Sequence, residues 1–364
     1  MRIIADRLAG WTAALHPREV RYGWLAVTLA VGLAGAGLFL LARLPLPWML
    51  GPMVVAMIVA LAGLPVTMPH SVRAPMLSVL GVMVGASATP ELLSRIPEWL
   101  LPLGGLVVVM VLGATASYFY FRRAAGYDHA TAYFASVPGG LTEMILLSEA
   151  RGGDARLVAL SHAVRVTFVV LAVPFFVEFM SGAQMGTRAP AGIPLLEQPP
   201  GDLAWFVGVW LVGALLAGFV RSATGLFLFP LLVSAVLHGL GITNFAIPRE
   251  AGLLAQLFIG LSLGCRFYGM HVRTIGASVL WAIGAGLILI GTSFGFAIGM
   301  AHMTGADILA LFLAYAPAGV AEMSLVAIAL HIEVAFVVLH HLSRLLLVTL
   351  VARAIFDRIP PAAS

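Results

Sequence analysis

Displaced by 179 residues, the second half of the chain aligns with the first without a gap over a long stretch. Gly126 falls on Gly305, Asp128 on Asp307, Pro138 on Pro317, Gly140 on Gly319, Glu143 on Glu322, Met144 on Met323, His162 on His341 and Arg165 on Arg344. Upstream, Gly81 falls on Gly260 and Gly85 on Gly264 at the same offset, while Pro52 and Pro230 match at 178. Pro, Glu, His and Arg are scarce here, so their coincidence at one offset marks a tandem duplication. Any fold for this chain has to be built twice.

Composition says in what medium. The 364 residues are 61% hydrophobic and 10% charged, against about 25% charged in an average soluble domain. That excludes a cytosolic enzyme or a soluble DNA-binding regulator. The twenty basic residues are all Arg, the formal net charge is +4, and without a basic run no direct nucleic-acid contact is expected. The lone Cys265 excludes an internal disulfide or a multi-Cys metal site and reads as a small packed residue. No cofactor, metal or catalytic residue is expected.

A helix crosses the ~30 Å hydrocarbon core with ~20 residues. Twelve apolar segments are legible: Tyr22–Ala42, Pro47–Leu64, Pro75–Ala88, Trp99–Phe121, Asp128–Ala150, Asp154–Met180, Leu203–Val220, Gly225–Ile242, Ala251–Phe267, Ile275–Met300, Ala306–Leu330 and Glu333–Phe356. The expected organisation is an N-terminal cytoplasmic segment 1–21, a first membrane repeat 22–180, a Pro/Gly-rich periplasmic linker 181–202, a second repeat 203–358 and a tail 359–364. The N-terminal apolar run starts late and is long enough to span, unlike a cleaved signal peptide.

One segment in each half is interrupted, at SVPGGLTEM (Ser136–Met144) and YAPAGVAEM (Tyr315–Met323). Pro138, Gly139, Gly140, Pro317 and Gly319 are the expected helix-break residues, since Pro cannot continue a helix and Gly favours an unwound turn. Each flanking piece is ~14 Å long, so it reaches about the bilayer middle. Repeated, interrupted segments point to a secondary-transporter architecture. If all twelve segments cross, eleven loop or terminal Arg lie inside and seven outside. If the two broken segments re-enter, fourteen lie inside, with only Arg43, Arg95, Arg188 and Arg249 outside. The positive-inside rule favours the second arrangement. Each half then crosses five times and the halves have inverted topology. The fold class expected is an all-α integral membrane protein of two inverted-topology repeats, a broken or re-entrant helix in each, with 10–12 membrane segments.

Few charges remain inside. Arg165 and Arg344 lie ~16 Å into their helices, where an Arg costs at least ~2.5–3.5 kcal/mol and needs a partner. Glu143 and Glu322 fall in the first turn after each break, where the helix dipole favours a carboxylate. His162 and His341 sit three residues before their Arg, on the same helix face. The six are expected to converge near the midplane. They serve either as structural caps and ion pairs, or as an anion site (Arg165, Arg344) with proton exchange at Glu143 or Glu322 and relay through His162 or His341. The Gly81/Gly85 and Gly260/Gly264 spacings read as close helix packing. Trp48 reads as a boundary anchor, and Gly51–Pro52 as a bend.

LPWMLGPM (Leu46–Met53), VPGGLTEM, APAGVAEM and the two H-x-x-R pairs together resemble the duplicated AbrB-type inner-membrane proteins of bacteria, over ~300 residues. Members carry labels of ammonia monooxygenase or regulator of gene expression, and share only a name with the soluble transition-state regulator. The family is similar to cation/proton antiporters and bile-acid or anion transporters. That likeness implies inverted repeats with broken helices that cross the membrane, against the re-entry that Arg placement favours. Ala318 stands where the first half has Gly139, so the two hinges are unequal. The leading expectation is a secondary transporter, not an enzyme, for a small anionic solute with proton coupling, in the bacterial inner membrane with the N-terminus cytoplasmic. Its expected partners are the lipid bilayer, a small-molecule substrate and a second copy in a homodimer. The alternatives are a membrane sensor acting indirectly on gene expression, and a monooxygenase, which the absence of metal-ligand spacing disfavours.

Overall fold

The computed structural model describes residues 22–182, 186, 190–219, 225–270 and 272–358. The N-terminal segment 1–21, the tail 359–364, part of the 181–202 linker, and Arg188 and Arg221 lie outside the described residues. Among those described there is no strand, only an isolated bridge between Ile193 and Pro248. Helices follow the apolar segments: α1 (Tyr22–Leu41), α2 (Pro47–Leu61), α3 (His70–Gly85), short α4 (Pro90–Ser94), α5 (Ile96–Arg123), α6 (His129–Ser136), α7 (Leu141–Glu149) and α8 (Ala155–Ser181). The second half supplies α9 (Pro200–Phe219), α10 (Gly225–Gly239), α11 (Arg249–Gly264), α12 (Val272–Thr304), α13 (Ile308–Tyr315), α14 (Val320–Leu330) and α15 (Val334–Phe356). Among the described residues seven helices are long and apolar enough to cross a membrane, beginning at Tyr22, Ile96, Ala155, Pro200, Arg249, Gly276 and Val334. The protein is thus an all-α chain of multi-pass membrane character.

Both interrupted segments break where Pro and Gly stand. Helix α6 starts at the N-cap Asp128, whose side chain accepts from Thr131 N at 2.9 Å; α13 starts at Asp307, which accepts from Ala310 N at 2.9 Å. Gly126 and Gly305, two residues earlier, each have φ +71°, a turn that Gly enters without a Cβ penalty. Pro138 and Pro317 then deny the next backbone N–H, and the helix stops.

The chain folds as two compact units, each drawing on both halves. The first consists of residues 1–94, 178–270 and 328–331, the second of 95–177, 271–327 and 332–364. Sequence halves and compact units are different divisions, because helical periodicity does not say which helices will touch. In the first unit α3 packs on α10, and α2 on α11. A Cβ on Gly81 or Gly85 would fall on the carbonyl oxygens of Phe227 or Leu231 in α10; one on Gly260 or Gly264 would fall on those of Met49 or Met53 in α2. The glycine spacings are therefore notches in which one backbone rests against another. Gly51 belongs to the same device, its backbone lying against that of Gly35 in α1. Around them Ala56, Leu257 and Leu261 are buried, with Trp48 and Cys265 packed against them.

The notches make a stability prediction. Gly85→Ala places a methyl against a backbone oxygen and 2.6 Å from Ser234 Cβ, and neither helix can yield without the other. The cost should be about 1–3 kcal/mol or more. Gly104→Ala meets nothing within 4 Å and should be neutral or gain up to ~1 kcal/mol of helix propensity. Thermal melts of the two variants in detergent, compared with wild type, check this; equal melts would contradict it.

The second unit contains α5–α7, most of α8, α12, α13, most of α14 and α15. Phe121, Phe134, Met144, Val158 and Val348 are buried in one cluster there. At one end Arg95 pairs with Glu98 at 3.1 Å and with Glu333, the residue preceding α15. The carboxylates of Glu98 and Glu333 raise the guanidinium of Arg95 above its ordinary pKa.

Candidate functional site at two helix breaks

All eleven residues singled out from the sequence fall in the second unit. Where α6 ends, its last carbonyls have no intrahelical partner. His162 on α8 meets Phe134 O through Nε2 at 2.8 Å, and Arg165 Nη1 donates to Ala135 O at 3.2 Å. Arg165 Nη2 lies 2.9 Å from His162 Nδ1. With Nε2 donating to a carbonyl, Nδ1 is the acceptor, so the network fixes a neutral tautomer.

The second break repeats this 179 residues on. His341 Nε2 meets Leu313 O at 2.9 Å, Arg344 Nη1 donates to Ala316 O at 2.5 Å, and Arg344 Nη2 lies 2.9 Å from His341 Nδ1. Arg344 Nη2 also donates to Ala318 O. Each His–Arg pair thus caps the C-terminal end of a half-helix, where a cation faces the negative pole of the dipole.

Among the described residues no carboxylate oxygen lies within 4 Å of either guanidinium. Glu322 acts on Arg344 only through space, and Arg165 feels Arg344 in the same way. The glutamates instead serve the opposite half-helices, as residue N3 of α7 and of α14. Each carboxylate folds back over the glycine three residues earlier: a Cβ on Gly140 would meet Glu143 Oε2 at 2.6 Å, and one on Gly319 would overlap Glu322 Oε2. Each carboxylate thus sits in the first turn of its half-helix, beside the positive end of the dipole, and the glycine leaves it room.

The breaks match in bonding but differ in exposure. Glu143 is exposed and Pro138, Gly139 and Gly140 are half-buried, whereas Glu322 is 7% exposed and Pro317 and Ala318 are buried. Arg165 and Arg344 are both buried, yet Arg165 Nε has no partner in the first break. Glu143 Oε2 accepts from Thr349 Oγ1 at 3.3 Å. Thr349 is a residue that sequence reasoning missed. The same offset signals it, because Val170 occupies the corresponding position in the first half and offers Glu322 no hydroxyl. Among the described residues no three His, Cys, Asp or Glu side chains gather so as to hold a metal ion.

Comparison with known proteins places this geometry in a family. A protein of Bacillus subtilis (strain 168) named YhjN is 25% identical over 342 residues, covering 88% of this chain and 89% of its own. An Escherichia coli (strain K12) protein carried under the name "Putative regulator AbrB" is 26% identical over 340 residues, covering 91% and 93%. The family model described as transition state regulatory protein AbrB matches residues 48–359, from Trp48 in α2 to beyond the end of α15. Both breaks, both glycine notches and both His–Arg caps fall within that match, and the chain belongs to the AbrB family.

Proposed function

We propose that the chain is a secondary transporter that moves a small anionic solute by alternating access, coupled to protons through Glu143 and Glu322. In this reading the two halves are inverted-topology repeats with ten to twelve membrane segments. The site lies near the bilayer midplane, between the broken helices, and the protein resides in the bacterial inner membrane with its N-terminus in the cytoplasm.

The observation that carries it is the pair of corresponding carboxylates in opposite states. Helices α6 and α7 hold eight and nine residues, or ~12–14 Å each, so Glu143 stands about halfway through a ~30 Å core. An exposed carboxylate at that depth cannot face hydrocarbon without a penalty of several kcal/mol. It therefore faces a water-filled crevice, and its counterpart Glu322 does not. One half open and one half closed around the same motif is what alternating access requires. Three features support an anion: the Arg165 and Arg344 guanidiniums, the spare Nε of Arg165, and the half-helix N-termini.

The test is flux into liposomes holding purified protein, with a panel of small organic and inorganic acids, with and without an imposed pH gradient. Wild type should accumulate at least one acid in a gradient-dependent manner, and Glu143→Gln should lose that dependence. Absence of flux for acids and amines alike, with Glu143→Gln and Arg165→Ala fully functional in cells, would sink the proposal.

A second reading takes its support from the regulator name of the Escherichia coli relative. Any influence on gene expression would be indirect, through a transported solute or a partner protein. A variant dead in flux that still alters a reporter would favour this sensing role.

A further inference from the structure

A groove of about 380 Å³ in the second unit takes no part in the scheme above. It runs between α5 and α15 and reaches the first break. Val137 and Pro138 at the break line it together with Val111, Ala114 and Val351 of the two long helices, and Phe119 lies towards the C-terminal end of α5. The lining is almost wholly apolar, so water gains little there. Along α5 the lining extends from Val107 to Phe119, ~18 Å at the helical rise. That is close to the ~15 Å occupied by the hydrocarbon of one leaflet.

One end of the groove is cationic. The Arg123 guanidinium lies 4.9 Å from the centroid of the Phe119 ring, and among the described residues no carboxylate approaches it within 4 Å. Arg353, paired with Asp357 at 3.9 Å, lies on the face of α15 turned away from the lining residues Leu347, Val348, Val351 and Ile355, so the cation at the groove is Arg123. At the same end Arg122 donates to Tyr127 O at 2.8 Å and Arg151 pairs with Asp357 at 2.7 Å. The helix ends are neighbours, since Phe121 of α5 belongs to the same cluster as Ala352 and Phe356 of α15. The occupant that fits is an amphiphile with an apolar chain one leaflet long and an anionic head.

We infer that this groove is a binding site for an anionic phospholipid, one acyl chain lying along α5 and α15 and the phosphate at Arg123. Surface arginines of this kind attract anionic lipid headgroups. The site touches Pro138, so the lipid would rest against the first helix break. The inference stands on the groove and its cation alone and does not depend on transport.

The experiment is native mass spectrometry of the full chain released from vesicles of phosphatidylcholine with phosphatidylglycerol admixed. Wild type should retain phosphatidylglycerol over phosphatidylcholine. Arg123→Gln, altered only at a residue outside the buried cluster, should lose that preference by about tenfold or more, while Arg353→Gln should keep it. Ala114→Phe, which fills the groove and leaves the cation, should reduce retention of either lipid. Equal retention of the two lipids by wild type would overturn the inference, as would an undiminished preference in Arg123→Gln. So would protection against heating by sn-glycerol 3-phosphate equal to that by phosphatidylglycerol, because the acyl groove would then be irrelevant. A dimer whose proportion ignores lipid identity would assign the groove to a second copy instead.

Discussion

Arg344→Ala should cost the protein more stability than Arg165→Ala, although the two arginines correspond at the 179-residue offset. Removing Arg344 takes a donor from three buried acceptors, Ala316 O, Ala318 O and His341 Nδ1, of which Ala316 O keeps the Ala318 N–H at 2.9 Å. Removing Arg165 strips two, Ala135 O and His162 Nδ1. A buried acceptor left bare costs about 1–3 kcal/mol, against a total stability of about 5–15 kcal/mol. The Arg344 variant in addition leaves Glu322 buried without its cation. Arg344→Lys should fall between wild type and Arg344→Ala, since an ammonium keeps the charge without the planar fork that spans two carbonyls and a ring nitrogen. Thermal melts in detergent, with the monodisperse fraction on size exclusion, give the ranking. Equal losses at the two arginines would mean that both caps are equally dispensable.

The second large effect concerns access to the two carboxylates. With Cys265 replaced by Ala, a cysteine placed at 143 should react with a membrane-impermeant thiol reagent about tenfold faster, or more, than one at 322. Glu143 is exposed, while Glu322 is enclosed with the buried Pro317 and Ala318. Tenfold corresponds to about 1.4 kcal/mol of local opening, a modest demand for a group that is 7% exposed. A solute that stabilises the opposite-facing state should narrow or reverse the ratio. Equal labelling of both positions in wild-type membranes, with or without solute, would count against alternating access.

Much of this arrangement is legible in the chain itself. The breaks follow from Pro138 and Pro317, the starts of α6 and α13 from the capping residues Asp128 and Asp307, and the close helix approaches from Gly81/Gly85 and Gly260/Gly264. The partner of each buried arginine is less legible. Opposite charges in a low-dielectric medium suggest an Arg–Glu pair, yet a broken helix also exposes a ring of carbonyls with no donors of its own. The arginines serve those carbonyls, and the glutamates serve the N-terminal ends across the break. Neither arginine is left without partners by this, because a half-helix terminus carries partial charge of the sign each group needs. The unequal exposure of the two breaks has a legible trace in Gly139 against Ala318 and Thr349 against Val170. Which helices touch leaves no such trace in helical periodicity, so the grouping into two units comes from the structure.

The glycine notches also set a timetable for synthesis. Gly81 and Gly85 on α3 rest against carbonyls that the ribosome delivers about 146 residues later. At ~5–20 residues per second that is a wait of roughly 7–30 s. Throughout it, α3 stands in the bilayer with its notched face unfilled, and lipid or an insertion factor has to cover it. The first unit is therefore completed only when α10 and α11 arrive.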